Sequence, residues 1–88
     1  MKGGLERINI TVVAIDNDTD RFNTTVHPMD TIKTLKKEIY EWFDARVENQ
    51  RVTYNGVLQT DDLIIGEIPI ENNSTVYVED ITIPRRNN

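Results

Sequence analysis

Near the start of the chain, Ile8, Ile10, Val12 and Ala14 alternate with Asn9, Thr11, Val13 and Ile15. A period of two is the signature of a strand. Residues 16–20, Asp-Asn-Asp-Thr-Asp, are turn chemistry, because Asn and Asp side chains can bond their own backbone. A second strand follows with Phe22, Thr24 and Val26 on one face, and the two strands form a hairpin with a slightly long loop. The period then changes. Pro28 holds His27 extended, and Thr31 or Asp30 is placed to cap a helix by accepting a backbone N–H bond. Beyond the cap, Ile32, Leu35, Ile39, Trp42 and Phe43 fall within about a 100° arc of a helix, with Lys33, Thr34, Lys37, Glu38, Glu41 and Asp44 on the other side. The helix is expected to fade between Asp44 and Arg46, where no Gly or Pro stands.

Arg51 to Tyr54 reads as a short strand with Val52 and Tyr54 turned inward, and Asn55-Gly56 is a turn signal because both residues tolerate positive φ. Leu58 opens a very short strand. Asp61-Asp62 precede Leu63-Ile64-Ile65, a candidate helical turn, and Ser74 to Val78 form the last strand. A hairpin, one amphipathic helix and further strands make an α+β two-layer domain: a mixed four- to five-stranded sheet with the helix on one face and the first and last strands parallel at its centre. The expected organisation is a flexible N-terminus over 1–7, one domain over 8–82 and a flexible C-terminal tail over 83–88, with no internal repeat.

Composition narrows the function. With no Cys and one His, neither a disulfide framework, a thiolate nucleophile nor a zinc cluster is expected, and no cofactor is implied. A net charge of -5 argues against nonspecific nucleic-acid binding, which needs clustered Lys and Arg. No apolar run approaches the roughly 20 residues of a membrane span, and the first residues show no signal-peptide pattern. The Asn-x-Ser/Thr triplets at Asn9 and Asn23 are read as chance. There is no nucleophile–base pair and no Gly-rich phosphate loop, so an enzyme is not expected.

The segment Thr25-Val26-His27-Pro28-Met29-Asp30-Thr31-Ile32 resembles the strand-to-helix passage of the ubiquitin family. Lys36, Ile39, Gln50-Arg51, Tyr54, Gly56, Asp61, Ile70 and Ser74-Thr75 match further positions, with no net insertion from about Ile10 to the tail. Any one of these motifs is weak; the ordered set at constant spacing is specific. The resemblance implies the ubiquitin-like β-grasp fold and assigns structural roles to Thr31, Lys36, Gln50 and Asp61. Lys36 and Asp61 match a partly buried ion pair, from which removing one partner is expected to cost about 3–5 kcal/mol. Gln50 matches a buried amide that satisfies backbone groups where the helix passes into the loop.

The chain also departs from that family. Conjugation uses a C-terminal diglycine, but Pro84 and Arg85 stand at the matching positions, and no Gly follows Gly66 in these 88 residues. The aliphatic recognition patch of ubiquitin falls here on Asn17, Thr53, Tyr77 and Glu79. The expected function is therefore a non-conjugated ubiquitin-like protein-interaction domain in the ubiquitin/proteasome or chaperone network. It is expected to be intracellular, cytoplasmic or nuclear, monomeric in isolation, and bound to protein rather than nucleic acid or membrane. The alternatives are a free-standing ubiquitin-like modifier, or another β-grasp binder of the PB1 or Ras-association type.

Partner binding is expected on the sheet face turned away from the helix, through Val13, Ile15, Arg51, Thr53, Tyr77 and Glu79. Val13, Ile15 and Tyr77 are apolar on a face that no second layer covers, although β-branched residues also favour strands for other reasons. Tyr77 and Arg51 are the residue types that most often anchor interfaces. Trp42 lies at the edge of the helix's apolar arc. It either caps the core beside Phe43 with its indole N–H in water or stands exposed as a second contact.

Overall fold

A computed structural model describes residues 6–17 and 19–82. The expectations for the N-terminal segment through Leu5 and for the tail, including Pro84-Arg85, lie outside the described residues. Within the N-terminal segment, Arg7 donates from Nε to Thr25 Oγ1 at 3.1 Å.

The element order is β1 (Ile8–Ala14), β2 (Arg21–Val26), α1 (Ile32–Phe43), β3 (Gln50–Tyr54), β4 (Val57–Gln59) and β5 (Ser74–Asp80), with short 3-10 turns at Val47–Asn49 and Ile65–Glu67. The strands form one sheet in the order β2-β1-β5-β3-β4. β1 and β5 run parallel with Val12 opposite Val76, and the other neighbours are antiparallel. Helix α1 covers one face. Ile32, Leu35 and Ile39 from the helix meet Ile10, Val12, Val26, Val52, Val76 and Val78 from the sheet, all buried in one cluster. That is the outcome of two periods, 3.6 and 2, presenting their apolar sides to each other.

Each element ends for a local reason. Asn17 Oδ1 accepts from the N–H of Thr19 at 3.2 Å and from Thr19 Oγ1 at 2.7 Å, which closes the β1–β2 turn on its own side chain. Thr31 is the helix cap, accepting from the Thr34 N–H at 3.3 Å. Asp30, the other candidate, instead accepts from the His27 N–H and braces the Pro28 turn. The helix stops where Asp44 adopts the left-handed conformation, φ 59°, and donates its N–H to the Tyr40 carbonyl. Asn55 and Gly56, φ 53° and 79°, form the two-residue turn that sets Tyr54 opposite Val57.

The helical turn expected at 63–65 lies later, at Ile65–Glu67. The backbone of Leu63 and Ile64 is used otherwise: the Leu63 carbonyl accepts from the Ile32 N–H, and Ile64 bridges to Thr31. β5 extends to Asp80 because Gln50 and Arg51 pair with Asp80 and Glu79.

Candidate interaction surface

The sheet face opposite the helix is built by register. Across it, Arg21, Val13, Tyr77, Thr53 and Leu58 lie side by side, one from each strand. Glu79 and Arg51 form the next cross-strand pair, opposite charges on neighbouring strands. Ile15 continues the line of Val13 just past β1, where its N–H donates to the Val78 carbonyl at 2.8 Å, and its side chain is exposed. Tyr77 is central and 42% exposed. Thr53 and Glu79 are half-buried and Arg51 is exposed.

Val13 departs from expectation. It lies on this outer face, outside the cluster beneath the helix, yet only 3% of it is exposed. The reason is its flanks. Arg21 and Tyr77 stand beside it in register, and two long side chains leave a branched residue between them little access to water. Val13 therefore flanks Tyr77 in the row and offers little surface of its own. Sequence reasoning also missed Leu58 and Ile81, both exposed. Leu58 was recoverable: a two-residue turn at Asn55-Gly56 fixes Thr53 opposite Leu58, and therefore on the outer face.

The four residues with structural assignments lie elsewhere. Lys36 Nζ is 2.5 Å from Asp61 Oδ1, with the lysine side chain 9% exposed and the aspartate 47%. The pair is thus one-sided: the cation is dry and the anion reaches water. Gln50 is buried and donates from Nε2 to the carbonyls of Lys36 and Ala45, both at 2.8 Å, tying the helix to the segment after it. Together with the Thr31 cap, these contacts fix the helix on the sheet and leave the opposite face to the outer row.

Trp42 satisfies half of each alternative. One face stacks on Phe22, with ring centroids 4.7 Å apart and planes 5° from parallel, while the residue remains 58% exposed. Phe43 meets the same Phe22 edge-on at 5.3 Å. His27 has a local task, its Nδ1 accepting from the Met29 N–H at 3.0 Å. Among the described residues no group of His, Asp and Glu could hold a metal ion, and no helix is long and apolar enough to cross a membrane.

One helix laid across a mixed five-stranded sheet, with β1 and β5 parallel at its centre, defines a ubiquitin-like β-grasp domain. The Ubiquitin family model matches residues 8–79, and the chain belongs to that family. No curated protein sequence matches it. Solved structures share the fold. The UBL domain of Plasmodium falciparum Dsk2 superposes with a TM-score of 0.76 at 23% identity, covering 84% of this chain and 97% of that one. A ubiquitin-like domain of an Arabidopsis thaliana protein gives 0.80 at 20% identity, covering 99% and 90%. The ubiquitin of Caldiarchaeum subterraneum gives 0.79 at 13% identity, covering 85% and 94%.

Proposed function

We propose that this ubiquitin-like domain is a non-conjugated protein-interaction module that docks a protein partner through its outer sheet face. The observation that carries this reading is the row in which Tyr77, 42% exposed, stands between Val13 and Thr53 with exposed Leu58 beyond. A half-exposed aromatic set on a rigid strand loses little conformational entropy on binding, and the Arg51–Glu79 pair beside it supplies polar rim chemistry. The non-conjugated part rests on Pro84 and Arg85, which stand where conjugated relatives carry glycines.

The test compares wild type with Tyr77→Ala as bait. Tyr77→Ala keeps the fold, and the partners it shares with wild type bind more weakly by about 2 kcal/mol or more. Equal retention of those partners removes Tyr77 from the site. Separately, incubation with ubiquitin-family activating enzyme and ATP yields no thioester adduct; an adduct would make the chain a modifier.

A further inference from the structure

A second surface lies at the end of the domain where α1 stops. The helix ends at Phe43, but the sheet beneath it continues through Ala14 and Val78 to Asp80. The result is a cleft of about 400 Å³ between the β1–β2 turn and the helix end. Its lining divides by chemistry. Half-buried Ala14 lies on the floor over buried Ala45 and Val78, exposed Trp42 gives an aromatic wall, and Asp16, Asp20 and Asp80 stand around it, while Arg21, whose register position is on the outer face, also borders it. Three carboxylates against one guanidinium leave two net negative charges on the described lining. The carboxylates do not converge into a group that could hold a metal ion.

The stacking of Trp42 on Phe22 holds one indole face against the fold. The residue still has more than half its surface in water. An indole held in this way beside carboxylates is complementary to a long cationic side chain. The aliphatic stem of such a chain lies along half-buried Ala14 and the exposed indole, and its head meets both the ring quadrupole and the negative charge. Arginine fits better than lysine, because a planar guanidinium stacks on an aromatic ring and forks onto carboxylates. We propose that this cleft receives an arginine side chain from a basic segment of a partner protein, at a site distinct from the outer sheet face.

The 88-residue protein, labelled with ¹⁵N, is titrated with acetyl-arginine N-methylamide and with its neutral isostere acetyl-citrulline N-methylamide. The arginine probe produces saturable shifts of the Trp42 indole N–H and of the Asp16, Asp20 and Asp80 amides. Citrulline binds at least about fivefold more weakly, Trp42→Ala and Asp20→Asn each lower arginine affinity by about fivefold, and Trp42→Phe retains most of it. Raising the salt concentration weakens the arginine interaction. The amide spectrum of each variant shows that it is folded, and Tyr77→Ala leaves the titration unchanged, which separates this site from the outer face. Equal binding of citrulline, shifts scattered away from the cleft, or no saturable shift at millimolar arginine probe overturns the proposal. Binding that rises about tenfold or more in an Arg85→Gln/Arg86→Gln variant would assign the cleft to the chain's own arginines, and likewise overturns it.

Discussion

The two ends of helix α1 are built in opposite ways. At the N-terminal end every backbone donor of the first turn has a partner. Ile32 and Lys33 donate their N–H groups to the carbonyls of Leu63 and Asp61, Thr34 donates to Thr31 Oγ1, and Leu35 donates to the Thr31 carbonyl. The loop answers in kind, with Ile65 and Gly66 donating to the Asp30 and Pro28 carbonyls. The Lys36–Asp61 pair locks the same two segments. At the C-terminal end the closure is one left-handed Asp44 and the Gln50 amide, and beyond them the sheet runs on beneath an open cleft. Interlocked backbone spends its donors and acceptors within the fold. The open end exposes an aromatic ring and carries carboxylates around it, of which Asp80 accepts from Thr82 and Asp20 from Asn17, so it is the end with chemistry to offer a partner.

The sharpest way to break this contrast is at the ion pair. Its burial is asymmetric, so the two truncations should differ. Asp61→Ala leaves a dry ammonium without its anion and is expected to cost about 2–3 kcal/mol, less than for a fully buried pair because Asp61 is half exposed. Lys36→Met leaves an aspartate that water can solvate and replaces a buried stem with an apolar one, for about 1 kcal/mol or less. Urea unfolding of both variants measures the difference. Equal costs would mean that burial of Lys36 does not set the energy.

Much of the fold was legible because its signals are local. Asn55-Gly56 named the β3–β4 turn, and Thr31 with the following apolar arc named the helix. Other features were not, because they depend on residues distant in sequence. The helix stop is a separate case: its place was legible, between Asp44 and Arg46, but its device was not, an Asp in a left-handed conformation that Gly usually takes. Leu63 and Ile64 look like the start of a turn, but their backbone is claimed by residues 31 and 32. On the outer face, alternation correctly placed Val13, Thr53 and Tyr77, but a period of two gives only the face and says nothing about coverage. Val13 is buried by strands on both sides. The cleft was invisible for the same reason: it forms only when Ala14, Val78 and Trp42 are brought to one end.

A smaller effect tests the closed end without touching charge. A Cβ at Gly66 would lie 2.9 Å from the Pro28 carbonyl oxygen and 3.2 Å from the Pro28 Cβ. That carbonyl accepts the Gly66 N–H at 2.7 Å, so the backbone cannot retreat without loosening its own bond. Gly66→Ala is expected to cost about 1–3 kcal/mol by overpacking. Amide exchange should rise first at Gly66 and Ile65, whose donors hold the loop to residues 28–30. An unchanged midpoint with unchanged exchange would mean that this loop yields freely and that the closed end is less rigid than its bonds imply.

The smallest effect belongs to the open end. Trp42→Ala removes a ring that is mostly in water, and the loss is confined to its stacking on Phe22, about 1 kcal/mol. Trp42→Phe should change stability by less than that, because the stacked face is retained. Trp42 is the sole tryptophan, so its fluorescence reports this end alone. Acrylamide should quench it efficiently in the folded state, with little further gain on unfolding. If Trp42→Ala instead costs as much as Asp61→Ala, or if the folded protein shields the indole from acrylamide, the helix end is closed in solution. The division into a fastened end and a recognition end would then fail at the residue that most depends on it.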